Sequence, residues 1–187
     1  NGAKIMIFPE QRFRLKDGRT CALRAAQPED AEAMLDYLRT TAAETPYLLR
    51  EPEEVDMTVE QEADFLRTMR DNPRALMLLV LVDGDCAGCC SVMPVGTRSR
   101  VLHRCGFAIA LYEKYCGQGL GHTLLQTAMD AAKAAGYEQG ELSVVCGNDR
   151  ALRLYERLGF TRCGLLPRTL KYKDGRYADE ILMVKTL

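Results

Sequence analysis

Three glycines at alternate positions, Gly117, Gly119 and Gly121, sit in the run Tyr115-Cys116-Gly117-Gln118-Gly119-Leu120-Gly121-His122, between an apolar strand-like stretch and an apolar helix-like one. Glycine permits positive φ there and lets a ligand come close where a Cβ would stand. A helix starting at such a turn presents unpaired N–H groups and the positive end of its dipole. Phosphate and pyrophosphate suit that place. The run has neither the Lys-Ser/Thr ending of a P-loop nor the wider glycine spacing of a dinucleotide turn, so alone it also fits a tight strand-to-helix connection.

The cysteines are the next residues with chemistry of their own. There are eight, at 21, 86, 89, 90, 105, 116, 146 and 163. Cys89, Cys90, Cys105 and Cys146 lie in apolar runs, where a free thiol serves as a small core side chain. Cys86-Ala-Gly-Cys89 has ligand spacing, but the second pair a zinc site needs is missing. The pair reads as structural and no metal is expected. Thiols without a secretory signal point to a reducing, cytoplasmic setting. Lys4-Ile5-Met6-Ile7-Phe8, closed by Pro9, is too short for a signal-peptide core.

Net charge is −1 over 187 residues, which gives no electrostatic footprint for nucleic acid or an anionic membrane. No apolar run approaches the ~18 residues of a membrane span. With 47% hydrophobic residues, the chain reads as one domain over residues 1–187.

The elements that must hold these residues follow from periodicity. Asp17-Gly18 joins two short strands, and Gln27-Pro28-Glu29-Asp30 opens a helix with Ala31, Met34, Leu35 and Leu38 on its apolar face. Residues 42–57 are irregular. Thr58 and Gln61 form a capping box for a helix carrying Ala63, Phe65, Leu66 and Met69. Strands are predicted at 75–82, 86–92 and 101–111, then a helix over 119–135 stopped by Gly136. A strand over 142–146, a helix from Asn148 to Gly159, and strands over 160–166 and 177–184 complete the chain. The order β-β-α-α-β-β-β-α-β-α-β-β implies an α/β (α+β) fold, a mixed sheet with helices on both faces.

In this order, two motifs resemble the GNAT superfamily of acetyl-CoA-dependent N-acetyltransferases. One is the strand Gly106-Phe107-Ala108-Ile109-Ala110-Leu111 followed by the glycine run, with Gly119 and Gly121 matching the family's Gln/Arg-x-x-Gly-x-Gly/Ala. The other is Asn148-Asp149-Arg150-Ala151-Leu152-Arg153-Leu154-Tyr155-Glu156-Arg157-Leu158-Gly159-Phe160, matching Asn-x-x-Ala-x-x-Leu-Tyr-x-x-x-Gly-Phe. The C-terminal run 175–183 is similar to the RimL-like branch, which includes ribosomal-protein N-terminal acetyltransferases and small-molecule enzymes.

The resemblance implies a mostly antiparallel sheet splayed where acetyl-CoA enters. It implies a pyrophosphate on the N–H groups of Cys116, Gly117, Gln118, Gly119, Leu120, Gly121 and His122. The extended pantetheine arm would pair like an added strand with Ile109 and Leu111, and an N–H there, at Ile109, would polarise the thioester carbonyl. Asn148 would bond the arm, or act as a plain N-cap. Tyr155 would protonate the departing thiolate, or simply pack in the core.

The chain departs from the family pattern in three places. Cys116 stands where Gln or Arg is usual. Ser143 stands where some relatives carry a general-base Glu, with Glu141 two residues earlier on the same strand face. The strand 101–109 lacks the Glu of other relatives and carries His103. Both His103 and Glu141 are thus candidate proton acceptors for an amine. Seven acids without a base between Glu51 and Asp64 would suit a cationic acceptor or form a solvated face.

The expectation is an acyltransferase moving acetyl to a small-molecule or amino-acid-like primary amine by direct attack in a ternary complex. The alternatives are a protein N-terminal or lysine acetyltransferase, and a non-catalytic acetyl-CoA sensor. Acetyl-CoA is the cosubstrate and the amine acceptor, small molecule or peptide, the partner. A homodimer is compatible with the sequence.

Overall fold

The computed structural model describes residues 6–187. Lys4 and Ile5, part of the short N-terminal apolar run, lie outside the described residues.

Tight turns build the first part of the sheet. β1 (Gln11–Arg14) and β2 (Thr20–Ala25) form a hairpin, and β3 (Leu76–Val82) pairs antiparallel with β2. Asp83 and Gly84 take φ of 50° and 92°, and so fold β3 back onto β4 (Asp85–Pro94). Two positive φ values in a two-residue loop match the right-handed twist of the strands they join.

Between β2 and β3 run α1 (Ala31–Glu44) and α2 (Val59–Asp71). A single 3-10 turn, Pro28–Asp30, precedes α1 and is closed by reciprocal bonds between Gln27 and Asp30. Thr58 and Gln61 form the expected capping box, at 2.9 and 3.2 Å. The buried side of α2 is Glu62, Leu66 and Met69. Phe65, expected in the apolar stripe, is 47% exposed instead. Position 65 is one turn from both 62 and 69, so it lies at the edge of that face rather than its centre and meets solvent.

The second half holds β5 (Arg104–Leu111), α3 (Leu120–Ala134), β6 (Gln139–Val145), α4 (Asp149–Arg157), β7 (Thr161–Lys171) and β8 (Tyr177–Thr186). Among the described residues the sheet has eight strands in the order β1-β2-β3-β4-β5-β6-β8-β7, antiparallel except for β5 against β6. Helices cover both faces: Tyr37 of α1 reaches the Ala110 carbonyl of β5, and on the other side Phe107 of β5 packs against Phe160, which meets Tyr155 of α4. Leu124, Leu125, Ala128 and Ala132 of α3 are fully buried against the sheet. Each Leu contributes about 1.5–3 kcal/mol through burial.

Several strand boundaries differ from expectation: β7 runs on to Lys171, past the predicted 166, because Leu170 and Lys171 pair with Ala178 and Tyr177 of β8. Residues 101–103 precede β5, because a 3-10 turn over Ser99–Val101 brings the chain in. The His103 carbonyl there accepts the N–H groups of Glu138 and Gln139, at 2.9 and 3.1 Å. β6 begins earlier than predicted and ends at Val145, so Cys146 is exposed rather than a core thiol. Cys89, Cys90 and Cys105 are buried as expected.

The feature that shapes a site is how β5 meets β6. Their parallel pairing covers only Arg104↔Gln139, Cys105↔Gly140 and Gly106↔Glu141. Beyond that rung both strands continue, β5 to Leu111 and β6 to Val145, without pairing to each other. β5 stays fully paired to β4 on its other edge, so the two halves of the sheet part like a V. The ion pair of Arg104 with Glu141, with one leg at 2.9 Å, crosses the last rungs before the parting.

Candidate active site

The strand edge in the V carries free backbone groups. Tyr112 donates its N–H to Ala87 O at 3.1 Å, and Ala87 precedes the Gly88↔Leu111 pair. Hydrogen-bonding direction alternates along a strand. Tyr112, Ala110 and Ala108 therefore turn their backbone groups to β4, while Leu111, Ile109 and Phe107 turn theirs into the gap. The Tyr37 hydroxyl also donates to Ala110 O, at 3.0 Å, and so ties α1 to the closed edge.

At the open end of the V the chain makes a 3-10 turn, Glu113–Tyr115, and then the glycine run. Gly117 and Gly119 have φ of 76° and 82°, and a Cβ built on either would meet nothing within 4 Å. Gly119 caps α3 with no side-chain hydrogen bond. The N–H groups of the first turn thus face open space with the helix dipole behind them. The open space over two left-handed glycines fits a pyrophosphate, whose oxygens need such donors.

A cavity of about 730 Å³ joins these parts. Of the residues named for the cofactor in the sequence, Ile109, Leu111, Cys116, Gly117, Gly119, Gly121, His122, Asn148 and Tyr155 line it. Gln118 and Leu120 do not. Gln118 is tied down by Arg19 (2.6 Å) and by the Lys114 carbonyl (2.9 Å), and Leu120 is buried in the core. The Cys116 thiol leans on Tyr112 O at 3.6 Å.

α4 supplies the other wall. Asn148 accepts the N–H of Ala151 at 3.3 Å, a cap that leaves its amide donors free to turn to the cavity. Tyr155 is 7% exposed, its ring edge-on to Phe160 at 6.2 Å. Its hydroxyl has no hydrogen-bond partner among the described residues, and it opens on the cavity. Burial, and secondarily the Cys90 thiol, push its pKa well above the usual phenol value. The phenol therefore keeps its proton at neutral pH and can give it to a developing anion.

His103 and Glu141 stand apart from the cavity. His103 precedes β5, about 20 Å along the strand from Ile109 at ~3.4 Å per residue. Glu141 is at the last paired rung, bonded to Arg104 and to Gln139 at 2.9 Å. Arg104 holds its carboxyl below the ordinary range. Four of the seven acids of 51–64 have partners: Glu51 and Glu53 pair with the distant Lys173, Glu54 accepts the Glu51 N–H, and Asp64 pairs with Arg67. Burial raises the pKa of Glu62.

Other lining residues escaped the sequence reading. Arg150, Arg153 and Arg157 face the cavity from α4. Their spacing of three and four is a basic stripe that could have been read beside the apolar one. Tyr47 gave no signal. It reaches the site because its hydroxyl donates to Gly147 O at 3.0 Å across the fold.

A model of the Acetyltransferase (GNAT) family matches residues 34–160. The chain belongs to the GNAT acetyltransferase family. It is an acetyltransferase, and acetyl-CoA is its cosubstrate. It is 27% identical over 165 residues to the phosphinothricin N-acetyltransferase of Streptomyces viridochromogenes, covering 86% of this chain and 85% of that one. It is 28% identical over 145 residues to a Bacillus subtilis protein named as a candidate [ribosomal protein bS18]-alanine N-acetyltransferase, covering 72% of this chain and 91% of that one. A GNAT-family acetyltransferase from Streptococcus pneumoniae superposes with a TM-score of 0.85 at 28% identity, covering 89% of this chain and 99% of that one. Among the described residues no cluster of potential metal ligands occurs, and no helix is long and apolar enough to cross a membrane.

Proposed function

We propose that this acetyltransferase acts on the primary amine of a small, amino-acid-like acceptor, by direct attack while both substrates are bound. The observation that carries the reading is the V beyond Gly106 and Glu141, with the free edge of Ile109 and Leu111 and the Tyr155 hydroxyl opening on one cavity.

Acetyl-CoA supplies an activated thioester carbonyl. The Cys116 N–H is spent on Glu113 O at 3.0 Å, so the N–H groups from Gly117 to His122 hold the pyrophosphate, and Arg150, Arg153 and Arg157 add charge to that end. Ile109 and Leu111 hold the pantetheine amides as a neighbouring strand would. The Ile109 N–H steadies charge developing on the thioester oxygen, while Asn148 orients the arm. Tyr155 gives its proton to the sulfur as the C–S bond breaks.

The acceptor side is fenced by the loop after α1. Tyr47 bonds it to Gly147 O and Tyr172 bonds to Pro46 O, each at 3.0 Å, and Lys173 pairs with Glu53. A loop held at both sides favours a small acceptor, in keeping with the similarity to a phosphinothricin acetyltransferase. A second reading, a protein N-terminus or lysine, draws on the Bacillus relative. The location proposed is the cytoplasm, where free thiols stay reduced.

CoA release measured with phosphinothricin, spermidine, lysine and an alanine-initiated peptide separates these readings. Turnover with the amino acids and polyamine, and none with the peptide, supports the small acceptor. The reverse pattern overturns it. Acetyl-CoA binding with no turnover across the panel would mark a sensor.

A further inference from the structure

Beyond Glu141 the next residue of β6 on the same strand face is Ser143, exposed just past the last paired rung, where the V begins to open. That face is the one from which Arg104 of β5 meets Glu141, so it also carries Ala108, exposed on the opposite wall. It is opposite to the face of Phe107, which packs edge-on to Phe160 and thus to the Tyr155 side. Ser143 therefore looks out on the α1 side of the gap, beside and not within the lining of the cavity, on the side that the loop after α1 fences for an acceptor. Its hydroxyl does not stand alone: Oγ donates to Glu180 Oε1 of β8 at 3.0 Å. β8 runs antiparallel to β6, with Val145 opposite Glu180 and Ser143 opposite Leu182, which puts the two side chains on one face. Glu180 is flanked on β7 by Leu166, and the charged groups further along the face are Glu141 and its partner Arg104.

We propose that Ser143 and Glu180 form the proton-accepting pair of this enzyme, Ser143 touching the acceptor nitrogen and Glu180 acting through it. The inference rests on the acetyltransferase reading of the V. The ammonium passes one proton to Ser143 Oγ as the Ser143 proton moves to Glu180 Oε1. The freed lone pair forms the N–C bond at the thioester carbonyl. The C–S bond breaks with its electrons on sulfur, which takes the Tyr155 proton. The second proton shed by the new amide nitrogen restores Tyr155 through solvent, and Glu180 releases its proton to water.

The pair matters in proportion to how firmly the amine holds its proton. At pH 7 about 10% of an α-amine of pKa ~8 is already neutral, against less than about 0.1% of an ε-amine of pKa ~10.4. The test compares Glu180→Gln and Ser143→Ala with wild type, using spermidine, phosphinothricin and an alanine-initiated peptide as acceptors. We expect kcat to fall by about 100-fold with spermidine and phosphinothricin, whose amines hold their protons well above neutral pH, and about 10-fold or less with the peptide α-amine, with the KM for acetyl-CoA unchanged. Ser143→Glu placed in the Glu180→Gln protein restores at least a tenth of the lost rate, because it returns a carboxylate to the gap. Wild-type turnover with unaltered rates in both single variants overturns the pair while leaving the acetyltransferase reading intact. Equal losses for all acceptors, or no recovery in the double variant, also overturn it, since a structural role would act that way. Acetyl-CoA binding without wild-type turnover overturns both. Ser143 is an exposed strand residue, so Ser143→Ala keeps the test open should Glu180→Gln fail to fold.

Discussion

Replacing Tyr155 by Phe removes one oxygen atom and little else. The ring keeps its edge-on contact with Phe160 at 6.2 Å and its place in the core. The lost hydroxyl has no hydrogen-bond partner among the described residues, so stability should change by less than about 1 kcal/mol. Acetyl-CoA contacts the protein chiefly through the glycine run and the β5 edge in this account, so its affinity should fall no more than about tenfold, the worth of one hydrogen bond. The proton for the departing sulfur comes from this hydroxyl, and a positioned acid is worth about 10²–10⁴ in rate. At 1.36 kcal/mol per decade that is roughly 3–5 kcal/mol of barrier. The burial that raises the Tyr155 pKa also keeps the proton in place, so the wild-type rate should show no loss from this group below pH ~10, the ordinary phenol value. CoA release, acetyl-CoA titration and thermal melting check the three parts together. A folded variant with normal affinity and wild-type turnover would refute the assigned role. A variant that melts far lower would show that the residue serves packing instead.

Gly119→Ala puts a Cβ at φ of 82°, which costs about 1–2 kcal/mol, and into the open space assigned to the pyrophosphate. A lower melting temperature and weaker acetyl-CoA binding by titration are both expected. Alanine at Arg150, Arg153 or Arg157 should raise the KM for acetyl-CoA several-fold with kcat little changed, and the rise should shrink in 0.5 M salt, where the Debye length is roughly half its physiological value. Arg104 holds the Glu141 carboxyl below its unfolded value, so this contact stabilises the fold above pH ~4.5 and its contribution is lost as pH falls through the folded value. Glu141→Gln should therefore flatten the acid limb of denaturant-melting curves while leaving the neutral-to-alkaline limb parallel to wild type.

The parts of the fold that depend on local chemistry were legible in the sequence. Thr58 with Gln61, the Asp17-Gly18 hairpin and the helix predicted over 119–135 follow from caps, turns and periodicity, and the structure has them, the helix as Leu120–Ala134. Boundaries set by tertiary contacts were not. His103 leaves β5 because its carbonyl serves Glu138 and Gln139, a bond between residues more than thirty positions apart. Cys146 looked like core because it ends an apolar run, but the strand stops at Val145 and the next residue turns out. In the site, the glycine run, Asn148 and Tyr155 could be found because a motif carries them. Ser143 with Glu180, and Tyr47 with Gly147, could not, because each pair is joined only by the packing of distant segments.

A crystal structure with acetyl-CoA bound tests the central claim most directly. Pyrophosphate oxygens are expected within hydrogen-bonding distance of the N–H groups from Gly117 to His122. The pantetheine arm is expected between β5 and β6 with its amides on Ile109 and Leu111, and the sulfur beside the Tyr155 hydroxyl. An arm that lies outside the V, with the gap between Leu111 and Val145 still empty, would contradict it.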